Sequence, residues 1–297
     1  MRHYFAVVLL ALAGGVALGI AWPAPNSDYP TPPTLPEAER GTLRFVTWNI
    51  RDLGRSKSPG EIDTMAQLLR GADLVAIQEV VAKDPAGARA VARLADALDR
   101  TGADWDYAVS DPTDSSTPHR RERYAFLWRT SAVRRVGRPR LLAAFAKTVE
   151  REPYLGVFAW TGGEVAVATF HARPHDEQPE REIAALRPLL AQYATGTPLL
   201  LAGDLNVVSH HTVFGPWRRA GYAVVPKGLP TTLRRTPARD GSRYVHESDY
   251  VLVPTDRLRV VGVERLDLVA YAGGDLAAAN RVSDHAPVLI GLRAARP

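Results

Sequence analysis

The chain has 297 residues, which fits one large α/β domain or two small ones, and 46% of them are hydrophobic, ample for a core. It contains no cysteine, which excludes disulfides, thiolate metal sites and a cysteine nucleophile, and leaves His, Asp, Glu and Asn for catalysis and hard-metal binding. A net charge of +5 suits a polyanionic partner and equally an arginine-rich soluble surface, so charge alone decides nothing.

Arg2 and His3 precede an apolar run from Phe5 to Ala21, with small residues at Gly19 and Ala21. Residues 1–21 therefore read as a secretory signal peptide. An uncleaved membrane anchor is the competing reading, because the run approaches the roughly 20 residues that span a bilayer. Gly14, Gly15 and Gly19 lower its hydrophobicity and favour export. Residues 22–40 carry Pro23, Pro25, Pro30, Pro32, Pro33 and Pro36 and are expected to form an extended linker. One domain is expected over residues 41–297.

Within it, Leu43 to Ile50 alternates like a strand and reaches Asn49. Ser58-Pro59-Gly60-Glu61 opens a helix running to Leu69, with Ile62, Met65, Leu68 and Leu69 at helical spacing. Asp73 to Glu79 is a buried strand that ends in a carboxylate, and Ala86 to Thr101 is an amphipathic helix. A polar loop from Ser110 to His119 leads through Arg120, Arg121 and Glu122 into a strand at Tyr124 to Trp128. Tyr154–Trp160 and Glu164–Phe170 read as a hairpin over Thr161, Gly162 and Gly163 that delivers His171. A helix from Gln178 to Tyr193 precedes the apolar strand starting at Leu199, which ends in Gly203-Asp204-Leu205-Asn206. If strand geometry persists to Asn206, the Asp204 and Asn206 side chains share one face. Glu247 to Val253 and Val282 to Val288 complete the chain.

Strand after strand thus ends in a residue that binds metal or moves protons: Asn49, Glu79, Glu122, His171, Asp204 with Asn206, Asp249, and Asp284 with His285. Each alone has an ordinary explanation as a turn residue, a solvated charge or a structural histidine. Together they share one chemical theme, and loops at one edge of a sheet converge in space. Hydrolysis of a phosphodiester needs a base for water, an acid for the leaving alkoxide and positive charge near the non-bridging oxygens. Two histidines, each oriented by a carboxylate, supply the first two, and an oxygen-rich set suits Mg²⁺.

Four ordered motifs, Thr47-Trp48-Asn49-Ile50, Ile77-Gln78-Glu79-Val80, Gly203-Asp204-Leu205-Asn206 and Ser283-Asp284-His285-Ala286-Pro287-Val288, resemble those of the endonuclease/exonuclease/phosphatase superfamily across residues 43–293. Arg121-Glu122-Arg123-Tyr124, Arg151-Glu152-Pro153 and Phe170-His171-Ala172-Arg173-Pro174 are most similar to its deoxyribonuclease I-like secreted nucleases. The resemblance implies a four-layer αββα sandwich, two mixed β-sheets face to face with helices outside. It implies His171 paired with Glu122 and His285 paired with Asp249 as the acid/base groups, and Asp204 with Asn206 positioning water or phosphate. Glu79, Asn49 and Asp284 would hold Mg²⁺, with Mn²⁺ able to replace it. Arg51 and Arg151 would meet double-stranded DNA across the minor groove. The product would carry 5′-phosphate ends, and a secreted monomer with no stable protein partner is expected.

The chain also departs from that pattern. Arg120 stands where those nucleases carry a Tyr, and Val81 where they carry an Arg, both at the minor-groove contact. Arg120, Arg121 and Arg123 can compensate through phosphate contacts. The region Ala132 to Thr148 has no Asp or Glu and Pro230 replaces a calcium-ligating Asp, so a structural Ca²⁺ is doubtful and weak Ca²⁺ dependence is expected. The segment from Thr231 to His246 is longer than its equivalent and reads either as a solvated loop or as an arm that tracks phosphates through Arg234 and Arg235. Two rivals to nuclease activity are a phosphoesterase of the same fold acting on a phospholipid or small phosphate ester, and a non-catalytic DNA-binding protein.

Overall fold

A computed structural model of the chain describes residues 41–193 and 196–295. The signal peptide and the linker expected over residues 1–40 lie outside the described residues. In chain order, β1 (Leu43–Leu53), α1 (Pro59–Leu69), β2 (Leu74–Val81), α2 (Ala86–Asp99), β3 (Trp105–Val109) and β4 (Glu122–Arg129) form the first half. They are followed by β5 (Arg134–Leu141), β6 (Tyr154–Trp160), β7 (Gly163–His171), α3 (Pro179–Leu190), β8 (Leu199–Asp204), α4 (Gly215–Arg219), β9 (Tyr222–Val225) and β10 (Asp249–Pro254). β11 (Leu258–Arg265), α5 (Leu268–Tyr271), α6 (Leu276–Val282) and β12 (Val288–Ala294) return the chain to the first sheet.

The strands make two six-stranded sheets, ordered β11-β12-β1-β2-β4-β3 and β5-β6-β7-β8-β10-β9. Each sheet has one parallel pair at its centre, β1 with β2 and β7 with β8, flanked by antiparallel neighbours. Three apolar clusters define the layers. One fills the space between the sheets, one packs α1, α2, α5 and α6 on the first sheet, and one packs α3 and α4 on the second. The four-layer sandwich expected from the sequence is the observed fold.

Because successive side chains alternate across a sheet, each central strand sends every second residue into the inter-sheet layer. In β1 these are Leu43 and Phe45, while Val46, Trp48 and Ile50 face the helices. In β8 they are Leu200 and Ala202, while Leu199 and Leu201 face α3 and α4. Carried forward, the inward rows end in polar groups at one edge of the sandwich: Leu43, Phe45, Thr47 and Asn49 in β1, Leu74, Ala76 and Gln78 in β2, Val165, Val167, Thr169 and His171 in β7, and Leu200, Ala202 and Asp204 in β8. β4 and β10 run antiparallel to their neighbours, so their first residues, Glu122 and Asp249, arrive at the same edge. The site is where the apolar interior turns polar.

Local signals behave as expected, with two corrections. Ser58 accepts from Glu61 N while the Glu61 side chain accepts from Ser58 N, a capping box that starts α1. The β6–β7 hairpin turns on Thr161 and Gly162 alone, because Gly163 already pairs with Trp160 in the ladder. Asn206 does not share a strand face with Asp204. β8 ends at Asp204, and Asn206 takes a left-handed conformation with φ +52°. The Asp204 carboxylate stabilises that turn by accepting from Asn206 N at 3.1 Å.

Candidate active site

Register places Asp204 between His171 on β7 and Asp249 on β10. Two imidazole–carboxylate pairs stand around it. His171 Nδ1 donates to Glu122 Oε2 at 2.9 Å, and His285 Nδ1 donates to Asp249 Oδ2 at 2.8 Å. An ionised carboxylate only accepts, so each Nδ1 carries hydrogen and each Nε2 is left for chemistry. Both Nε2 atoms point to Asp204 Oδ2, at 3.6 and 3.7 Å.

Electrostatics follow from this crowding. Burial opposes charge on His285, yet Asp249 and Asp204 outweigh it and push the imidazole up to about 10. His171 is raised too, against burial, chiefly by Glu122. Burial works against the Glu122 carboxylate, but His171 and Arg151 hold it below the usual range. Asp204 goes the other way: burial pushes it up to about 6 despite both histidines. Buried carboxyls and imidazoles displaced in this way mark candidate acid/base groups.

A shell of groups to which sequence reasoning gave no positioning role holds these pairs in place. Thr231 Oγ1 donates to Asp249 Oδ2 at 2.5 Å, beside the imidazole bond. Arg151 Nε reaches Glu122 Oε2 at 3.1 Å, and Tyr124 OH accepts from His171 N at 3.2 Å. Ser283 Oγ donates to Asn49 O and accepts from His285 N, and Trp48 Nε1 donates to His285 O. Gln78 Nε2 ties the sheets together by donating to Thr169 Oγ1 at 2.7 Å and Thr47 Oγ1 at 3.2 Å. The available signal was parity: Thr47 and Thr169 precede Asn49 and His171 by two residues on otherwise apolar inward rows.

Asn49 and Glu79 form a second half of the site. Asn49 Nδ2 donates to Glu79 Oε1 at 2.9 Å and to Asp204 Oδ2 at 3.1 Å, which leaves Asn49 Oδ1 buried without a hydrogen-bond partner. Glu79 has φ +60° at an irregularity in the β2 ladders. Such a bulge re-aims a side chain out of strict alternation. Asp249 Oδ1 and Glu122 Oε1 are also buried and unpartnered, and Asp204, Asp249 and His285 bring their ligand atoms within 4.8 Å of one another. An unpaired amide oxygen beside a carboxylate fits a hard divalent cation. Asp284 is paired with Arg51, its Oδ2 3.4 Å from Nη1, and its side chain is 39% exposed.

The basic residues divide. Arg151 is buried against Glu122 rather than laid out on the surface, because Glu122 sits inside the sandwich edge and needs a cation. Arg120 grips Glu177 through both terminal nitrogens, at 2.5 and 2.6 Å. Arg123 is buried against Ser110 O, Ala82 O and Asp84. Arg121 is exposed, and Arg51 also donates to Asn280 O at 2.6 Å. The segment following Thr231 walls a cleft of about 640 Å³ that is also lined by Asn206, Asp284 and His285.

The Endonuclease/Exonuclease/phosphatase family model matches residues 46–285, which contain every residue just described. The chain belongs to this family. It is 33% identical over 276 residues to a deoxyribonuclease of Thioalkalivibrio sp. (strain K90mix), a match that spans 86% of this chain and 72% of that protein. Among solved structures, an endonuclease/exonuclease/phosphatase from Bacteroides vulgatus superposes with a TM-score of 0.60 at 17% identity, covering 86% of this chain and all (100%) of that one. D. rerio TDP2 complexed with single strand DNA product gives 0.59 at 14% identity, covering 85% of this chain and 99% of that one. At such identities the structural likeness speaks to the fold, and family membership makes the chain a phosphoesterase-type hydrolase.

Proposed function

We propose that this protein is a secreted, Mg²⁺-dependent endodeoxyribonuclease that cuts DNA with little sequence preference and leaves 5′-phosphates. The observation that carries this reading is the convergence of the two imidazole–carboxylate pairs on Asp204 Oδ2. The relative named a deoxyribonuclease supports DNA as the substrate. Export rests on the apolar run from Phe5 to Ala21.

In the proposed reaction one imidazole Nε2 takes a proton from water as the water oxygen bonds to phosphorus. The other imidazole gives its proton to the 3′-oxygen as the P–O3′ bond breaks. Glu122 and Asp249 keep each ring in the Nδ1–H form and stabilise its charged state. Asp204 orients the water between the rings. Asn49 and Glu79 would hold Mg²⁺, which supplies positive charge to the non-bridging oxygens.

The test incubates the purified protein with supercoiled and linear DNA in Mg²⁺ and in EDTA, sequences the ends, and runs a phospholipid phosphate-release assay alongside. Relaxation and random 5′-phosphate ends in Mg²⁺ are expected. A protein that releases phosphate from lipid and leaves the plasmid supercoiled refutes the nuclease reading. Equal DNA loss by the wild type and a His171→Ala/His285→Ala variant refutes catalysis. N-terminal sequencing of the exported protein tests the signal peptide.

A further inference from the structure

The wall that follows Thr231 is firmly built. Leu233 N donates to Asp284 O at 2.7 Å, Ala286 N donates to Thr231 O at 2.8 Å, and Thr232 pairs with His285 in an antiparallel bridge. Across the arm, Leu233 bridges Tyr244, and Arg234 N donates to Arg243 O at 2.8 Å. On its flank the Arg265 guanidinium lies 3.6 Å over the Tyr244 ring, whose hydroxyl donates to Asp267 at 2.8 Å. The arm is pinned to the same loop that carries His285, so its backbone is held in register with the loop that positions this imidazole.

Arg234 and Arg235 sit consecutively on the part of the arm that lines the cleft. Among the described residues neither has a carboxylate within salt-bridge distance, whereas Arg120, Arg123 and Arg151 are each held by one. Arg234 is half-buried, and its Nε is buried with no hydrogen-bond partner. Asp240 is close enough to feel the Arg234 charge without pairing with it, and Arg235 is exposed. Two guanidinium groups beside a cleft with no carboxylate locked to them are matched to a phosphate, which accepts from their forks. The cleft volume of about 640 Å³ exceeds what one phosphate fills, and Val208 and Val245 add apolar surface for a sugar or base.

We infer that Arg234 and Arg235 form a subsite for the phosphate next to the scissile one on the His285 side, which makes the substrate a polynucleotide strand and not an isolated phosphodiester. This rests on the reading of the site as a DNA hydrolase. Two charges on a flanking phosphate supply binding that a short ester lacks, and they fix the register of the strand against the two imidazoles.

The test uses octathymidylates in which every linkage is a neutral methylphosphonate except a central phosphodiester, with the neighbour on one side, the other, or neither restored to a charged phosphodiester. Wild type, Arg234→Ala/Arg235→Ala and Arg234→Lys/Arg235→Lys are compared by kcat/KM at the central bond. Restoring the neighbour on one particular side is expected to raise the wild-type value tenfold or more. The alanine pair should lose that gain, the lysine pair should keep part of it, and the other side should behave alike in all three. Each protein is its own reference, so loss of folded material cancels. On plasmid DNA the alanine pair should flatten the slope of log affinity against log salt by about 0.9, the share of one phosphate contact. An equal gain in wild type and alanine pair on both sides overturns the subsite. Failure of the wild type to cut any of these substrates or plasmid DNA would instead overturn the nuclease reading, and the subsite with it.

Discussion

His171 and His285 approach one oxygen from opposite sheets' edges, their Nε2 atoms 3.6 and 3.7 Å from Asp204 Oδ2, while their Nδ1 atoms are each taken by a carboxylate. His171 comes from the last position of β7, and His285 from the loop that leads into β12 of the other sheet. The pair therefore straddles the two sheets, and the packing between them sets its spacing.

Removing either imidazole should be costly and removing both should cost little more. General acid or base catalysis contributes about 10² to 10⁴ in rate. His171→Ala and His285→Ala are each expected to fall by that factor in plasmid nicking. The double variant is expected to lie near the worse single one, because residues acting as a unit are strongly non-additive. Initial rates with circular dichroism as a folding control check this; multiplicative losses would show independent roles.

The same geometry sets a pH dependence of stability. His285 is pushed from 6.5 to about 10, because Asp249 and Asp204 face it. A raised pKa means the folded state binds the proton more tightly, so the stabilisation is complete below 6.5 and disappears as pH rises through 10. Thermal melts in EDTA should fall across that window for the wild type. His285→Gln should begin lower and change less, the two curves meeting at the alkaline end. Parallel curves from pH 6 to 10 would contradict the assignment.

The legible part of this site was whatever stood out against an apolar strand. Glu122, His171, Asp204 and Asp249 are titratable groups at the ends of buried runs, and the order of the motifs holding Asn49, Glu79, Asp204 and His285 pointed to the family. Sequence reasoning could not see which carboxylate each arginine meets, because such pairs form across 29 residues for Arg151 and Glu122 and 57 for Arg120 and Glu177. Thr231 was equally hidden: its bond to Asp249 spans 18 residues and depends on how the arm folds back. Asn206 was misplaced because one left-handed residue ends strand alternation, and nothing in the apolar pattern marks where a strand stops.

Gly203 is the position where the backbone tolerates least. It has φ +142°, and an added Cβ would lie 1.9 Å from Phe170 O on the neighbouring strand. β7 and β8 are parallel and central, so neither can shift without moving His171 and Asp204 together. Gly203→Ala is expected to destabilise the fold by roughly 3 kcal/mol or more, measured by urea denaturation. Any folded fraction should show reduced kcat with little change in KM. Near-wild-type stability would mean that β7 and β8 separate more easily than their ladder suggests.

Asn49 and Glu79 give the prediction that reports on the metal. Asn49 Oδ1 is buried without a partner, and the Asn49 amide already serves Glu79 and Asp204, so this carbonyl is the oxygen left for a cation. Glu79→Gln removes the local negative charge while preserving shape, and should raise the Mg²⁺ concentration for half-maximal activity at least tenfold. Isothermal titration of Mg²⁺ into the protein gives an activity-independent reading, with wild-type heat lost in the variant. Ca²⁺ should raise the melting temperature of the wild type no more than Mg²⁺ does, since the region Ala132 to Thr148 offers no carboxylate and Pro230 no side-chain oxygen. A Glu79→Gln protein that binds and uses Mg²⁺ like the wild type would move the metal away from Asn49 and toward the cluster of Asp204, Asp249 and His285.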